Sequence, residues 1–170
     1  LDELKCRTAL ATSHVELDSQ KLRMLFSRIE KAEKRFPDSR EIQLLKLDLV
    51  KRYEGNEKAI KVLEKYKKAN PKSLEIELSE ADLLMAQNNT RAAVSKLKLI
   101  DKKYPQKILP AKYLASILYE NGKTAEAIQV IEQKLEKLED ENSRKNISLF
   151  LSILYKRKKK KKKAYDLLKE

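Results

Sequence analysis

Three prolines placed 34 residues apart, Pro37, Pro71 and Pro105, constrain this chain more than any other feature. Each of them follows a segment rich in lysine or arginine. Proline cannot continue a helix, because it lacks the backbone N–H and its ring clashes with the preceding turn, whereas cations are favourable at a helix C-terminus. The prolines therefore predict three helix ends in one register, and so an internal repeat.

Small and apolar residues keep the same period. In the second half of each unit, alanine is followed four positions later by an apolar residue, in Ala59 and Leu63, Ala93 and Leu97, and Ala127 and Ile131. In the first half, an apolar or small residue is followed three positions later by an aliphatic one, in Leu47 and Val50, Ala81 and Leu84, and Ala115 and Leu118. Turn-forming residues separate the two halves, at 54–56, 88–90 and 121–123. Each unit is therefore predicted to be a hairpin of two helices, and the hairpins stack because one alone cannot bury its apolar face.

This pattern resembles the tetratricopeptide repeat family, whose period is 34 residues. The unit that matches best contains Leu114, Ala115, Leu118, Gly122, Ala127 and Ile131. Three features depart from the family pattern: tryptophan is absent, Leu47 stands where a small residue is preferred, and Glu139 replaces the fourth proline of the series. The resemblance implies an all-α fold, a right-handed superhelical solenoid of antiparallel helix hairpins.

We expect one domain over residues 1–170, with about ten helices in five repeats at 4–37, 39–71, 73–105, 107–141 and 142–170. The first helix is assigned to the apolar residues Leu4, Ala9, Leu10 and Val15, and Asp18 is expected to cap the second. Residues 150–155 echo the helix at 113–119 with an offset of 36 or 37, so a longer connection is expected around 140–143. Ala164, Leu167 and Leu168 predict a short final helix.

No catalytic or metal-binding pattern is visible. His14 is the single histidine and Cys6 the single cysteine, so neither a disulfide within the chain nor a zinc site is expected. A glycine-rich phosphate loop is also missing. We expect no enzymatic activity and no cofactor.

With one cysteine, no signal peptide and no apolar run of about 18 residues, a cytoplasmic location is favoured. The start without methionine suggests a processed chain or a fragment.

The family resemblance also implies a binding surface, since the first helices of such repeats line a concave groove that receives a peptide or a partner helix. The corresponding positions are Leu44, Asp48, Lys51, Leu78, Asp82, Met85, Lys112, Ser116, Tyr119, Ser148, Ser152 and Tyr155. A chaperone-tail carboxylate clamp would need lysine and asparagine at fixed positions of the first helices. Because Leu44 and Asp48 occupy the first such pair, this function is not expected.

Eight consecutive basic residues stand near the C-terminus: Lys156, Arg157, Lys158, Lys159, Lys160, Lys161, Lys162 and Lys163. They contribute eight charges to the net charge of +13, which leaves only +5 for the rest of the chain. Lysines that neutralise phosphates give salt-sensitive affinity for nucleic acid, and anionic lipids attract them in the same way. No aromatic residue interrupts the run, which argues against stacking on bases. The alternative is an exposed, mobile lysine loop without a ligand.

The first functional hypothesis is a non-catalytic scaffold that binds a partner protein or peptide through the concave helix face. The first alternative is a ribonucleoprotein or nucleic-acid-associated subunit that uses the basic run, and RNA, DNA or an anionic surface would be its partner. The second is a membrane-associated assembly factor of a bacterial envelope or secretion system. Self-association through the terminal hairpins is a further expectation, based on the apolar residues Phe150, Leu151 and Leu154.

Overall fold

A computed structural model describes residues 18–167, with the side chain of Lys161 left undescribed. This range contains helices and no strand. The helices are α1 (Ser19–Arg35), α2 (Arg40–Tyr53), α3 (Asn56–Ala69), α4 (Leu74–Ala86), α5 (Thr90–Lys103), α6 (Leu109–Glu120), α7 (Thr124–Lys137), α8 (Glu141–Arg157) and α9 (Lys161–Asp166). The all-α prediction is confirmed. The helix predicted around Leu4, Ala9, Leu10 and Val15 lies outside the described residues, as do Cys6, His14 and Leu168.

The chain forms two compact units, residues 1–83 and 84–170, and the boundary falls within α4. In the first unit, α1 packs on α2 and α2 packs on α3. In the second, each helix from α5 to α8 packs on the next one along the chain. The expected single domain and the exact repeat boundaries stay predictions.

Proline turns end α1, α3 and α5, as the sequence predicts. The C-cap residues of these helices are Phe36, Asn70 and Tyr104, and each precedes one of the three prolines. The carbonyl of each cap accepts a hydrogen bond of 3.0–3.2 Å from the N–H three residues further on. Proline fits the second position of such a turn because its φ is already fixed near the required value. One local structure therefore recurs with the 34-residue period.

Three of the turns inside the hairpins contain a residue in the left-handed αL conformation, whereas Gly55, between α2 and α3, has φ 92° and ψ 170°. The three left-handed residues are Asn88 (φ 58°), Gly122 (φ 77°) and Lys159 (φ 60°). In each case the next N–H donates to a carbonyl five residues earlier, at 2.8–2.9 Å, which is the pattern of a Schellman helix end. The basic run therefore follows the same turn as the two hairpins before it, although lysine has a Cβ that disfavours this conformation.

Lys159→Gly is expected to raise the free energy of unfolding by about 0.5–1 kcal/mol, because glycine adopts positive φ without steric cost. The matched control is Lys158→Gly, since Lys158 has φ −80° and gains nothing from glycine. Chemical denaturation of the two variants measures the difference. Equal effects of the two substitutions would contradict the assignment of strain to Lys159.

Small residues of the repeat register are completely buried. Ala59, Ala93 and Ala127 have no exposed surface, and neither do Ala81 and Ala115. The apolar residues of the same register are buried beside them, including Leu63, Leu97 and Ile131. In the first unit, a separate cluster of Leu25, Ile29, Ile42 and Leu49 lies between α1 and α2. The repeat pattern therefore marks the core.

The fourth repeat ends without proline, and side chains take over the role of the proline turn. Arg144 donates from Nη1 to the carbonyls of Leu135 at 2.8 Å and Leu138 at 3.2 Å, which satisfies acceptors at the C-terminal end of α7. Asp140 caps α8 by accepting from the N–H of Ser143 at 2.7 Å. The expected long connection at 140–143 is wrong, because α8 already begins at Glu141 and the additional residues extend that helix to 17 residues.

Two polar pairs stand at equivalent positions of the repeat, 68 residues apart. In the second unit, the buried Lys134 of α7 contacts Asp101 Oδ1 of α5 at 2.7 Å and donates to the Pro105 carbonyl at 2.8 Å. In the first unit, Tyr66 of α3 donates to Glu33 Oε1 of α1 at 3.1 Å.

Burial and the Glu33 carboxylate raise the pKa of Tyr66. Burial by itself would raise the pKa of Glu33, but hydrogen bonds from two lysines and from Tyr66 hold that pKa below its usual value.

Candidate functional site: a groove between α6 and α8

An open groove of about 320 Å³ lies between α6 and α8 in the second unit. Both are first helices of their hairpins, which is where the family resemblance places the binding surface. This groove, called the α6–α8 groove below, is lined by Ser116, Tyr119, Glu120, Phe150, Ile153, Leu154 and Arg157. Ser116 and Tyr119 belong to the predicted groove residues, whereas the residues predicted for this role on α8, Ser152 and Tyr155, are not part of the lining.

Helical spacing explains why these side chains share the groove. On α8, Phe150, Ile153 and Arg157 are separated by three and four positions, which places them on one face of the helix. The adjacent face of α8 carries the buried residues Ile147 and Leu151. On α6, Leu114 and Leu118 are buried in the same way. The core-facing residues therefore fix the rotation of both helices and turn the lining residues outward.

Cations lie over both aromatic rings of the groove. The guanidinium carbon of Arg157 is 5.0 Å from the centroid of the Tyr119 ring, and Nη1 of Arg157 donates to the Tyr119 hydroxyl at 2.9 Å. Lys112 Nζ is 5.3 Å from the centroid of the Phe150 ring and donates to Asn146 Oδ1 at 3.1 Å. Such contacts are each worth about 0.5–1 kcal/mol at exposed sites. They hold the rings in place and give the groove positive charge next to each ring.

Apolar surface remains exposed on α8. Ile153 is 44% exposed and the neighbouring Leu149 is 55% exposed, while Phe150 is half-buried. A hydrophobic surface of this kind, bordered by charged groups, is typical of a binding site.

The predicted residues Ser152 and Tyr155 of α8 are buried, each only 5% exposed, and Ser148 is half-buried. Ser152 donates to the Leu149 carbonyl at 2.7 Å, and Tyr155 donates to Glu132 Oε1. Burial and this carboxylate raise the pKa of Tyr155 to about 12. The burial pattern corresponds to an offset of 37 residues from α6, which places Leu149 and Ile153 at the exposed positions. An offset of 37 residues, rather than 36, would have identified Leu149 and Ile153 from the sequence.

In the first unit, the predicted residues of α2 are half-buried. Leu44 packs against the core, and Asp48 accepts from Arg52 at 3.4 Å. Lys51 is half-buried as well. On α4, Leu78 is only 7% exposed and Asp82 is exposed. Met85, half-buried, follows the boundary and belongs to the second unit. Partner binding by any of these residues stays a prediction.

The basic run crosses the end of α8. Lys156 and Arg157 close this helix, 158–160 form the turn and 161–163 begin α9. The side chains at 156–160, 162 and 163 are exposed. No carboxylate of the described residues forms an ion pair with them, whereas Lys123 and Lys145 pair with nearby glutamates. The positive charge of the run is therefore not compensated within the part of the chain that the structure describes.

Between residues 18 and 167, no three histidine, cysteine, aspartate or glutamate side chains come together as metal ligands would. Over the same residues, no helix combines the length and the apolar character needed to cross a membrane.

No protein-family model and no curated protein sequence matches this chain. Solved structures do match. A tetratricopeptide repeat protein from Parabacteroides merdae has a TM-score of 0.66 at 16% identity, over 99% of this chain and 62% of that one. PilF of Pseudomonas aeruginosa has a TM-score of 0.59 at 15% identity, over 99% of this chain and 77% of that one. YrrB, described as a TPR protein with an unusual peptide-binding site, has a TM-score of 0.51 at 14% identity, over 88% and 76%.

Identities this low establish the fold and nothing further. The expected family resemblance is confirmed at this level, since the matching structures include several tetratricopeptide repeat proteins. This chain is a helical-repeat protein with the tetratricopeptide repeat fold.

Proposed function

We propose that this chain is a non-catalytic scaffold that binds a peptide segment of a partner protein in the α6–α8 groove. The observation that carries the proposal is the partly exposed pair Phe150 and Ile153, which lies opposite Tyr119 across an open groove. Covering such apolar surface removes it from water, at about 25 cal/mol per Å². The peptide-binding site of the structurally similar YrrB supports this kind of ligand for the fold.

The aromatic rings of the groove and the cations beside them have different roles in the proposed binding. Tyr119 and Phe150 are held by Arg157 and Lys112 before any ligand arrives. A groove that is already ordered loses little side-chain entropy when it binds. The apolar side chains of a peptide would then fill the space beside Ile153, while its backbone would stay near the polar edges of the groove.

The test begins with selection of binding peptides from a displayed random library. Ile153→Glu is expected to weaken the selected peptides more than about tenfold, because a bound peptide would bury the carboxylate without a partner. Leu99→Glu is the matched control, since Leu99 lies on α5 of the same unit, is 66% exposed and does not line the groove. Fluorescence anisotropy measures affinity for both variants, and circular dichroism confirms that both are folded. Equal affinities of the two variants would refute the proposal.

A further inference from the structure

The α6–α8 groove and the basic run meet at Arg157. Its guanidinium lines the groove beside Tyr119, while its backbone belongs to the last turn of α8, directly before the turn at 158–160. Lys156 follows Ile153 by three positions, so it lies on the same side of the helix. A ligand that leaves the groove at this end therefore meets several cations at once.

Charge at this end of the groove is strongly one-sided. Glu120 is the acidic residue among those that line the groove, and Arg157 is the basic one. Lys156 and Lys158 flank Arg157 and form no ion pair with the described carboxylates. Arg157 uses Nη1 for Tyr119, which leaves other N–H groups of its guanidinium for a second acceptor. Positive charge therefore exceeds negative charge at this end of the groove, which favours an acidic ligand.

We infer that the α6–α8 groove selects peptides in which apolar residues are followed by a run of glutamate or aspartate. The apolar residues contact Phe150 and Ile153, and the carboxylates contact Lys156, Arg157 and Lys158. This inference rests on the proposed function and adds the chemistry of the ligand. Arginine suits contact with these carboxylates because its planar guanidinium binds a carboxylate with two parallel hydrogen bonds.

A peptide fits these observations better than a nucleic acid. The exposed aliphatic surface of Leu149 and Ile153 needs apolar side chains to cover it, and a nucleic acid carries none. The two aromatic rings of the groove already have a cation over one face, Arg157 over Tyr119 and Lys112 over Phe150. The ring of Tyr155 is buried, and Lys160 and Lys163 lie over it.

Two fluorescent peptides test the inference. They share an amphipathic segment that contains leucine and phenylalanine, and they differ only in the flank that follows it, glutamates in one and glutamines in the other. At about 50 mM salt the glutamate peptide is expected to bind roughly tenfold more tightly, because each exposed ion pair adds a small increment to affinity. At about 200 mM salt the advantage shrinks through screening.

Variants then show which cations cause the preference for the glutamate peptide. Lys156→Gln combined with Lys158→Gln leaves the contact between Arg157 and Tyr119 intact, and we expect it to remove most of the advantage. Arg157→Gln, added to this pair, should remove the remainder. The control changes three exposed lysines elsewhere in the same unit, Lys102, Lys107 and Lys137, to glutamine. It removes the same total charge as the triple variant and is expected to keep the preference for glutamate.

The outcomes separate the two proposals. Equal affinity for the two peptides, or an equal loss in the triple variant and its control, overturns the inference and leaves the proposed function intact. If neither peptide binds and the peptide library yields no ligand sensitive to Ile153→Glu, both fail. Polyuridine RNA that displaces the glutamate peptide and depends on Lys156 and Lys158 would assign the surface to nucleic acid instead. A dimer in sedimentation that Ile153→Glu dissociates would assign the groove to a second copy of the chain.

Discussion

Lys134→Met is expected to lower the free energy of unfolding by about 3 kcal/mol, one of the two largest effects predicted for a single substitution. The Lys134 side chain is only 1% exposed and contacts both Asp101 and the Pro105 carbonyl. Methionine fills a similar volume but donates no hydrogen bond. Asp101 would then keep its negative charge without its cation, and the proline turn would lose a donor. Urea denaturation followed by circular dichroism measures the loss.

Lys137→Met provides the matched control for this substitution. Lys137 lies in the same helix and carries the same charge, but its side chain is exposed. We expect an effect within about 0.5 kcal/mol. Asp101→Asn, added to Lys134→Met, should restore part of the lost stability, because it removes the uncompensated charge. Similar losses for Lys134→Met and Lys137→Met would show that the buried pair is not an important stabilising contact.

Ala127→Leu is expected to cost a comparable amount, about 3 kcal/mol, for a steric reason. Ala127 has no exposed surface and lies in α7, which packs against α6 and α8. Three additional carbon atoms would force these helices apart or push neighbouring side chains away from their preferred rotamers. Thermal and urea denaturation should both report the loss.

Ala125→Leu tests whether the position or the residue type matters. Ala125 lies two residues earlier in α7 and is exposed. Leucine and alanine both favour helix, so this change is expected to be nearly neutral. If the two substitutions had the same effect, close approach of the helices at Ala127 would not explain the alanine of the repeat.

The sequence determines much of the fold because the repeat depends on local chemistry. Proline ends a helix wherever it falls, so Pro37, Pro71 and Pro105 locate three turns without further information. The alanine and aliphatic positions locate the core for a similar reason, since helical spacing alone decides which residues share a face. The fourth repeat is harder to predict, because Arg144 replaces a proline turn by long-range hydrogen bonds that no local pattern announces.

The groove was predictable only in part. Ser116 and Tyr119 follow from the repeat register on α6, where the period of 34 holds. On α8 the additional residues at the start of the helix shift the register, and an error of one position rotates a helix by about 100°. This rotation separates the buried Ser152 from the exposed Ile153. The contact of Arg157 with Tyr119 depends on the packing of two helices and could not be predicted from either helix alone.

The polar pairs at Glu33 with Tyr66 and at Asp101 with Lys134 also bear on how a repetitive chain avoids misassembly. Similar hairpins can exchange places during folding, which is a hazard for repeat proteins. The position shared by Tyr66 and Lys134 is occupied by Ile100 in the repeat between them. A hairpin docked one repeat out of place would leave the Tyr66 or the Lys134 side chain without its carboxylate partner. Alternating polar and apolar chemistry at this position therefore penalises wrong neighbours and favours a single order of hairpins.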